Sequence, residues 1–480
     1  MIARVDGATT HRPAALPDLH GIHVHLIGVG GSGMSGAASM LLSLGAKVSG
    51  SDLSPFPGMG ELIARGVRIG VGHDEAHLDP GVKYVIHSAA VPDDNPELAV
   101  ARRRGLRTWR YAEFLGTLMA ARRGIAVAGT HGKSTTTALT AHIFREAGLD
   151  PSFIVGARSP QLAGSSGWGT GPHFIVESCE FDRSFLQFWP ESAAILNIES
   201  DHLDCYHRFE AIVEAFGEFA SHVDTSGVLV CNADDPWAGE AAKSGTAEVE
   251  TFGLGDSSDW RPVDFRESEG RYSFGVDFRG DTIMSTSLLI PGRHNMLNAL
   301  AAIALASRAG VEPQTIARAV ASFQGVDRRL SWRGQGRGVT VVDDYAHHPT
   351  EIRVTLEAAR FRYRPKRMWV VFQPHQYRRT RDFMDAFANS FGLADEVIVH
   401  DIYGAREADA QACRTGAEEL ATRISRNGRR ARYMPSFAAA TGHLLDHFVA
   451  GDLVLTMGAG DVWKVADELV ERIREPNADR

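Results

Sequence analysis

The chain has 480 residues, 44% of them hydrophobic and 23% charged, an ordinary globular composition long enough for about three domains of roughly 150 residues each. A formal net charge of −9 and a pI near 6.1 supply no basic field for a nucleic-acid backbone or an anionic membrane surface, so neither is an expected partner. No stretch reaches the roughly 20 apolar residues that span a bilayer, and Cys179, Cys205, Cys231 and Cys413 form neither a C-x-x-C nor a disulfide framework, which fits a reducing compartment.

Residues 1–20 contain Thr9, Thr10, His11 and Arg12 without a continuous apolar run and read as a flexible tail rather than a signal peptide, as does Glu475 to Arg480. The first strand, Ile22 to Ile27, runs into Gly28-Val29-Gly30-Gly31-Ser32-Gly33 and a helix predicted over Met34 to Leu44, with Gly45 as its C-cap. A second strand, Ala46 to Gly50, ends on Ser51-Asp52. Glycines at 28, 30 and 33 let the backbone approach a ligand and aim a helix N-terminus at a pyrophosphate, with Asp52 about 20 residues on. A tight strand-helix turn would show the same glycines, and NAD is only one of the nucleoside diphosphates that offer a pyrophosphate.

A second strand-to-helix junction, Gly124 to Ala128 followed by Gly129-Thr130-His131-Gly132-Lys133-Ser134, opens a central domain, with a helix predicted over Thr135 to Ala147 and closed by Gly148. Lys133 can reach a β- or γ-phosphate, the loop N–H groups can cradle it, and the Ser134 hydroxyl can coordinate Mg²⁺. The loop is a shortened form of the Walker A pattern, since Val127 stands where that pattern wants glycine. An N-capped helix with a solvated lysine is the plainer alternative. Phe174 to Glu177 and Ala193 to Asn197 read as buried parallel strands whose polar ends emerge at the carboxyl edge of a sheet. Glu177 and Glu180 follow the first, and His202 the second; alone, His202 would read as a structural histidine. Mg²⁺ takes oxygen ligands and retains waters, so few protein groups are needed.

Alternation between Asp256 and Ser287 predicts antiparallel strands, followed by a helix over Asn298 to Ala309. Gly292 to Asn298 brings amide and imidazole groups to that helix start, suited to a base edge or to capping. After Gln324 to Arg329 a third α/β unit begins, with strands at Val339 to Val342, Met368 to Phe372, Glu396 to His400 and Leu453 to Thr456. Its first strand ends in Asp343-Asp344-Tyr345-Ala346-His347-His348, and Pro349 starts a helix. The spacing is not that of a zinc site.

In this order, and with Phe372 to Asp382 and Leu455 to Trp463, the motifs resemble the Mur ligase family from about Gly21 to Ala466. The resemblance implies an α/β fold of three domains: a Rossmann-like UDP-sugar domain over 21–121, a central P-loop-type ATPase with a mostly parallel sheet over 122–326, and a C-terminal Rossmann-like domain for amino acid and nucleotide over 327–480. It implies UDP-sugar contacts from Gly28, Gly30, Gly31, Ser32, Gly33, Asp52, His73, Ser88 and Asn95. ATP contacts are implied for Gly129, Thr130, His131, Gly132, Lys133, Ser134, Thr135, His294, Asn295, Asn298, Arg329, Asp344 and Tyr345. Mg²⁺ ligands would be Ser134, Glu177 and His202, amino-acid contacts His348, His375 and Arg379, and catalytic groups Lys133, Glu177, His202, Arg329 and His347.

The implied reaction is ATP-dependent ligation of L-alanine to the carboxylate of UDP-N-acetylmuramate through an acyl phosphate, giving ADP and phosphate. It would belong to cytoplasmic peptidoglycan precursor synthesis, hence to cell-wall biogenesis, cell shape and division, in a monomer or weak homodimer. Phe372 to Thr380 resembles the alanine-adding branch more than the branch attaching a murein tripeptide in recycling, and an NAD-dependent oxidoreductase would leave Lys133-Ser134 unexplained. Three positions depart from the family pattern: Ser134 where threonine is common, the altered acidic run Glu177 to Asp182, and Gln376 where arginine is common, which removes a carboxylate clamp.

Overall fold

The computed structural model describes residues 12–14, 16–268, 270–405 and 410–474. Residues 1–11 and 475–480, read as tails, and the Ser32 side chain lie outside them. Leu19 is buried in the core of the first sheet with Leu16 packed beside it, so packing starts ahead of Gly21. Of the described residues, those up to 266 with 273–289 and 295–325 form one compact unit, and those in 267–272, 290–294 and from 326 on form another.

The first sheet comprises β1 (His23–Ile27), β2 (Lys47–Asp52), β3 (Arg68–Val71), β4 (Tyr84–His87) and β5 (Arg107–Arg110) in the order β3-β2-β1-β4-β5. All its pairings are parallel. Strand order reverses between β1 and β4, which in an open α/β sheet puts the ligand crevice at their carboxyl ends. The helix Ser32–Ser43 begins two residues earlier than its hydrophobic pattern and lays Met34, Ala37, Ala38 and Leu41 into the core, and Gly45 takes φ +77° just beyond its end.

The second sheet has ten strands: β6 (Arg123–Ala128), β7 (Ser152–Ser159), β8 (Gly164–Gly167), β9 (His173–Glu177), β10 (Ser192–Ile195), β11 (Val228–Asn232), β12 (Glu248–Phe252), β13 (Trp260–Ser268), β14 (Arg271–Phe278) and β15 (Asp281–Leu288). β6 lies between β9 and β10 and runs parallel to both. The loop after β6 and the polar tails of β9 and β10 therefore emerge side by side. The segment read as antiparallel forms three strands, and β14 turns into β15 through Arg279 and Gly280, both at positive φ, the twist of a two-residue hairpin. Its first strand differs from expectation: β13 meets β12 in parallel, Phe252 beside Trp260, and so extends the sheet. The antiparallel pair β7 and β8 had no sequence signal, because Gly164-Ser165-Ser166-Gly167 carries no apolar alternation.

The third sheet, β16 (Ser331–Gly336), β17 (Val339–Asp344), β18 (Met368–Phe372), β19 (Glu396–Val399), β20 (Arg430–Tyr433) and β21 (Leu453–Met457), has the order β16-β17-β21-β18-β19-β20. Only β16 is antiparallel to its neighbour. Val342, Phe372, Val397 and Leu455 face one core with Phe387 and Phe391, while Val341, Trp369, Val371 and Val454 face another with Val465 and Leu469. Burial on both faces explains the continuous apolar runs that marked these strands. Among the described residues no helix is long and apolar enough to cross a membrane.

A polar network runs through the first sheet. The wholly buried Glu97 accepts from Ser51 Oγ (2.8 Å) and lies 2.7 Å from His25 Nε2, 3.1 Å from His73 Nδ1 and 3.3 Å from His77 Nδ1. Burial alone would push its carboxyl up, but the His25 and Ser51 contacts hold it down from 4.5 to about 2. A depressed folded-state pKa stabilises the fold above about pH 4.5, on the order of 3 kcal/mol for this shift, and that stabilisation is lost as pH falls toward 2. Glu97→Gln is expected to lower stability at pH 7 by that order and to flatten the acid limb of a pH series of urea unfolding curves.

Candidate active site

After β6 the chain turns through Gly129 (φ +143°) and Gly132 (φ +86°). A Cβ on Gly132 would collide with Asn298 Oδ1, and one on Gly129 would stand 2.9 Å from the Leu196 side chain. Glycine alone meets both the backbone angle and the space. The helix Lys133–Glu146 starts at Lys133, two residues before the predicted start. Asn197, just past β10, pins the loop: its Oδ1 accepts from the His131 N–H (2.8 Å) and its Nδ2 donates to the His131 carbonyl (3.1 Å). Thr130 Oγ1 accepts from the Glu199 N–H at 2.9 Å.

Lys133 folds back over this loop. Its Nζ donates to the carbonyls of Gly129 (2.5 Å) and Thr130 (3.1 Å) and to both Glu180 oxygens (2.8 and 3.1 Å). The side chains are 13% and 3% exposed. Burial by itself would lower the lysine pKa, but the Glu180 carboxylate raises it, so the ammonium is held charged. Sequence reasoning left Glu180 without a role; the fold makes it the counterion of the phosphate-loop lysine. Ser134 donates to Glu177 Oε1 at 3.0 Å, while Glu177 Oε2 accepts from the Gly156 N–H. A Cβ on Gly156 would stand 2.8 Å from that carboxylate. A hydroxyl and a carboxylate held together at the loop are oxygen donors of the kind Mg²⁺ takes.

His202 sits at φ +51° just before the short helix Leu203–Tyr206, its ring 5.1 Å from that of Phe181, and Tyr206 donates to the Glu180 carbonyl. Asn298 Nδ2 donates to Asn295 Oδ1 at 3.1 Å beside Gly132. His294, expected with them, belongs to the other compact unit. Thr135 is buried in the first turn of its helix.

At the first sheet, Asp52 Oδ2 accepts from the Gly30 N–H at 2.8 Å, so this carboxylate closes the glycine loop. Ser88 lies over Gly28, its Cβ 3.2 Å from where a Gly28 Cβ would be, and His73 is held by Ser51 and Glu97. Asn95, read as a UDP contact, is 3% exposed and its Oδ1 caps the helix Pro96–Arg103, accepting from the N–H groups of Glu97 and Leu98. Gly31 lies in the same loop and donates its N–H to the Gly28 carbonyl at 3.3 Å.

In the second unit the residues gather at the carboxyl ends of β17, β21 and β18. Arg328, which no motif singled out, bridges Asp343 Oδ2 (3.0 Å) and the carbonyls of Gly458 (2.6 Å) and Gly460 (3.1 Å). Asp344 accepts from the N–H groups of Leu330 (2.6 Å) and Ala346 (2.8 Å), and burial pushes its carboxyl up to about 6. The Arg329 guanidinium pairs with Glu351 at 3.2 Å and lies 5.5 Å from the centre of the Tyr345 ring. His347 donates its N–H to Glu351 Oε2 and turns its ring toward those of Tyr345 and His375. His348 caps the helix Pro349–Tyr363 through the Thr350 N–H. Arg379 Nη1 lies 3.3 Å from His375 Nδ1, and His375 stacks on Tyr403. Gln376 is held at φ +68° before the helix Tyr377–Asp382.

A glycine loop presenting a buried charged lysine, with a hydroxyl and a carboxylate paired beside it at the carboxyl edge of a mostly parallel sheet, defines an ATP-dependent α/β enzyme that handles a phosphoryl group. Residues 23–123 match the Mur ligase family, catalytic domain; 127–306 match the Mur ligase middle domain; and 328–460 match the Mur ligase, glutamate ligase domain. The chain belongs to the Mur ligase family. It is 40% identical to the UDP-N-acetylmuramate–L-alanine ligase of Clostridium acetobutylicum over 94% of this chain and 97% of that one. The enzyme of the same name from Alkaliphilus metalliredigens is 42% identical over 93% and 97%. Among solved structures, the UDP-N-acetylmuramate-alanine ligase of Thermotoga maritima superposes with a TM-score of 0.80 at 28% identity, covering 94% of this chain and 99% of that one. A murein peptide ligase from Psychrobacter arcticus follows with a TM-score of 0.71 at 27% identity over 95% and 100%.

Removing Lys133 leaves the buried Glu180 carboxyl without its counterion. Lys133→Met is expected to abolish ATP turnover and to destabilise the protein by roughly 3–5 kcal/mol. Adding Glu180→Gln should recover most of the melting temperature and none of the turnover, as read by calorimetry and phosphate release.

Proposed function

We propose that this protein joins L-alanine to the carboxylate of UDP-N-acetylmuramate at the expense of ATP, as a Mg²⁺-dependent step of peptidoglycan precursor synthesis in the cytoplasm. The observation that carries the reading is the Lys133–Glu180 and Ser134–Glu177 arrangement, in a chain that aligns over almost its full length with ligases named for that reaction. The UDP pyrophosphate belongs at the Gly28 to Gly33 loop, with His73 and Ser88 beside it, and the ATP phosphates at Gly129 to Thr135, with Asn295 and Asn298 near that loop. For His294, Arg329, Asp344 and Tyr345, which belong to the second unit, a contact to nucleotide is proposed from the family resemblance alone.

A carboxylate oxygen of the sugar attacks the γ-phosphorus, the bond to the ADP oxygen breaks with its electron pair leaving on ADP, and an acyl phosphate forms. The alanine amine then adds to the acyl carbon, and phosphate leaves with the second electron pair. Two anions must meet in the first step, so charge neutralisation and positioning supply most of the catalysis. Lys133, held charged by Glu180 at rest, supplies one charge by turning to the γ-phosphate. Ser134 and Glu177, and by the family resemblance His202, would hold Mg²⁺, which supplies further neutralisation of phosphate charge. On the other unit, Arg379 and His375 offer donors to the amino-acid carboxylate near His348, and His347, oriented by Glu351, accepts a proton from the alanine ammonium. We take the working form to be a monomer or weak homodimer.

The test is phosphate release from ATP with Mg²⁺ and UDP-N-acetylmuramate, offering L-alanine, other amino acids and a stem tripeptide as separate acceptors. Release that requires L-alanine is the expected result. Release only with the tripeptide moves the assignment to murein peptide ligation, and no acceptor-dependent release removes the ligase reading.

A further inference from the structure

Tyr111 belongs to none of the motifs and is not used in the mechanism above. It is the first residue of the helix Tyr111–Met119, half-buried, and packed against the core shared by the first two sheets. Its hydroxyl oxygen stands 2.5 Å from where a Cβ on Gly33 would be, so the phenol lies directly on the last glycine of the loop after β1. Two contacts fasten the same helix to the stretch following Glu177: Arg110 pairs with Asp182 at 3.0 Å, and a Cβ on Gly116 would collide with the Gln187 carbonyl. The phenol thus lies on the pyrophosphate loop of the first sheet, at the start of a helix that also touches the stretch following Glu177 in the second. Burial, with Glu177 and Cys179 nearby, raises its pKa and keeps it protonated. No hydrogen bond of this hydroxyl is found among the described residues.

The geometry points to Tyr111 as a substrate-orienting residue that donates a hydrogen bond to the lactyl carboxylate of the UDP-sugar, an assignment that rests on the ligase reading above. The pyrophosphate end of that substrate belongs at Gly28 to Gly33, and the attacked γ-phosphate belongs by Lys133 and Glu177. The nucleophilic carboxylate must lie between them, and the phenol on Gly33 is carried by the helix that joins the first loop to the stretch after Glu177. A neutral donor suits the task, because it fixes the direction of a carboxylate lone pair without the full positive charge that would blunt its attack.

Tyr111→Phe removes only the hydroxyl and keeps the ring packing. The measurement is isothermal titration of wild type and variant with UDP-N-acetylmuramate and with UDP-N-acetylglucosamine, which lacks only the lactyl acid, together with KM and kcat in the phosphate-release assay. The expected result is an affinity for UDP-N-acetylmuramate reduced about tenfold or more, a parallel rise in KM, and an affinity for UDP-N-acetylglucosamine unchanged within about twofold. Equal weakening of both ligands would assign the hydroxyl to the pyrophosphate loop or to packing and overturn the proposal. No change for either would overturn it as well. Failure of the wild-type protein to bind UDP-N-acetylmuramate would instead remove the underlying ligase reading.

Discussion

The buried pair of Lys133 and Glu180 is the contact around which the central site is organised. A lysine drawn this far from water needs a carboxylate in contact, and Glu180 can supply one only because β9 runs parallel beside β6 and the chain after Glu177 doubles back under the loop. The same strand pairing sets Glu177 against Ser134, and the pairing of β6 with β10 sets Asn197 against His131. Two strands on either side of one glycine loop thus deliver its counterion, its metal-type oxygen donors and its anchor.

The other two sheets apply the same constraint. Parallel strands buried on both faces leave only their ends for polar work, and the carboxyl ends are where strand-order reversals open a crevice. Asp52 closes the first loop at the end of β2, and Arg328 ties the ends of β17 and β21 together through Asp343 and the carbonyls of Gly458 and Gly460. Some of the strained backbone lies at such places. His202, Asp182 and Arg183 in one unit, and Arg328, Leu330 and Gln376 in the other, take positive φ without being glycine, a conformation that costs about 1–3 kcal/mol each and persists only where the surroundings impose it.

Several groups read as ligand contacts are engaged by the protein itself. Asp52 holds Gly30, Asn95 and His348 cap helices, and the oxygens of Asp344 accept two backbone N–H groups. These side chains fix the shape of their loops, which makes them determinants of the site through geometry. Gln376, the departure from the family pattern, introduces a helix whose Arg379 reaches His375, so a guanidinium is present three residues beyond the position where arginine is common.

What the amino-acid sequence determined by itself was local: the strands it named, the glycine turns at 28 to 33 and 129 to 132, the helices that follow them, and the polar clusters at strand ends, each within one or two residues of its observed place, whereas the strands Tyr84–His87 and Val228–Asn232 went unread and the helix Arg293–Arg308 starts five residues ahead of its expected start. Side-chain period and the φ requirement of glycine act over a few residues, so they are legible without a fold. The edge strand Gly164–Gly167 and the parallel docking of β13 on β12 were not legible, because Gly-Ser-Ser-Gly carries no periodicity and pairing direction is not written in alternation. Nor were Lys133 with Glu180, Asn197 with His131, Glu97 with His25, or Tyr111 over Gly33. Each of these joins residues tens of positions apart, and only the order in which the strands lie side by side decides which of them meet.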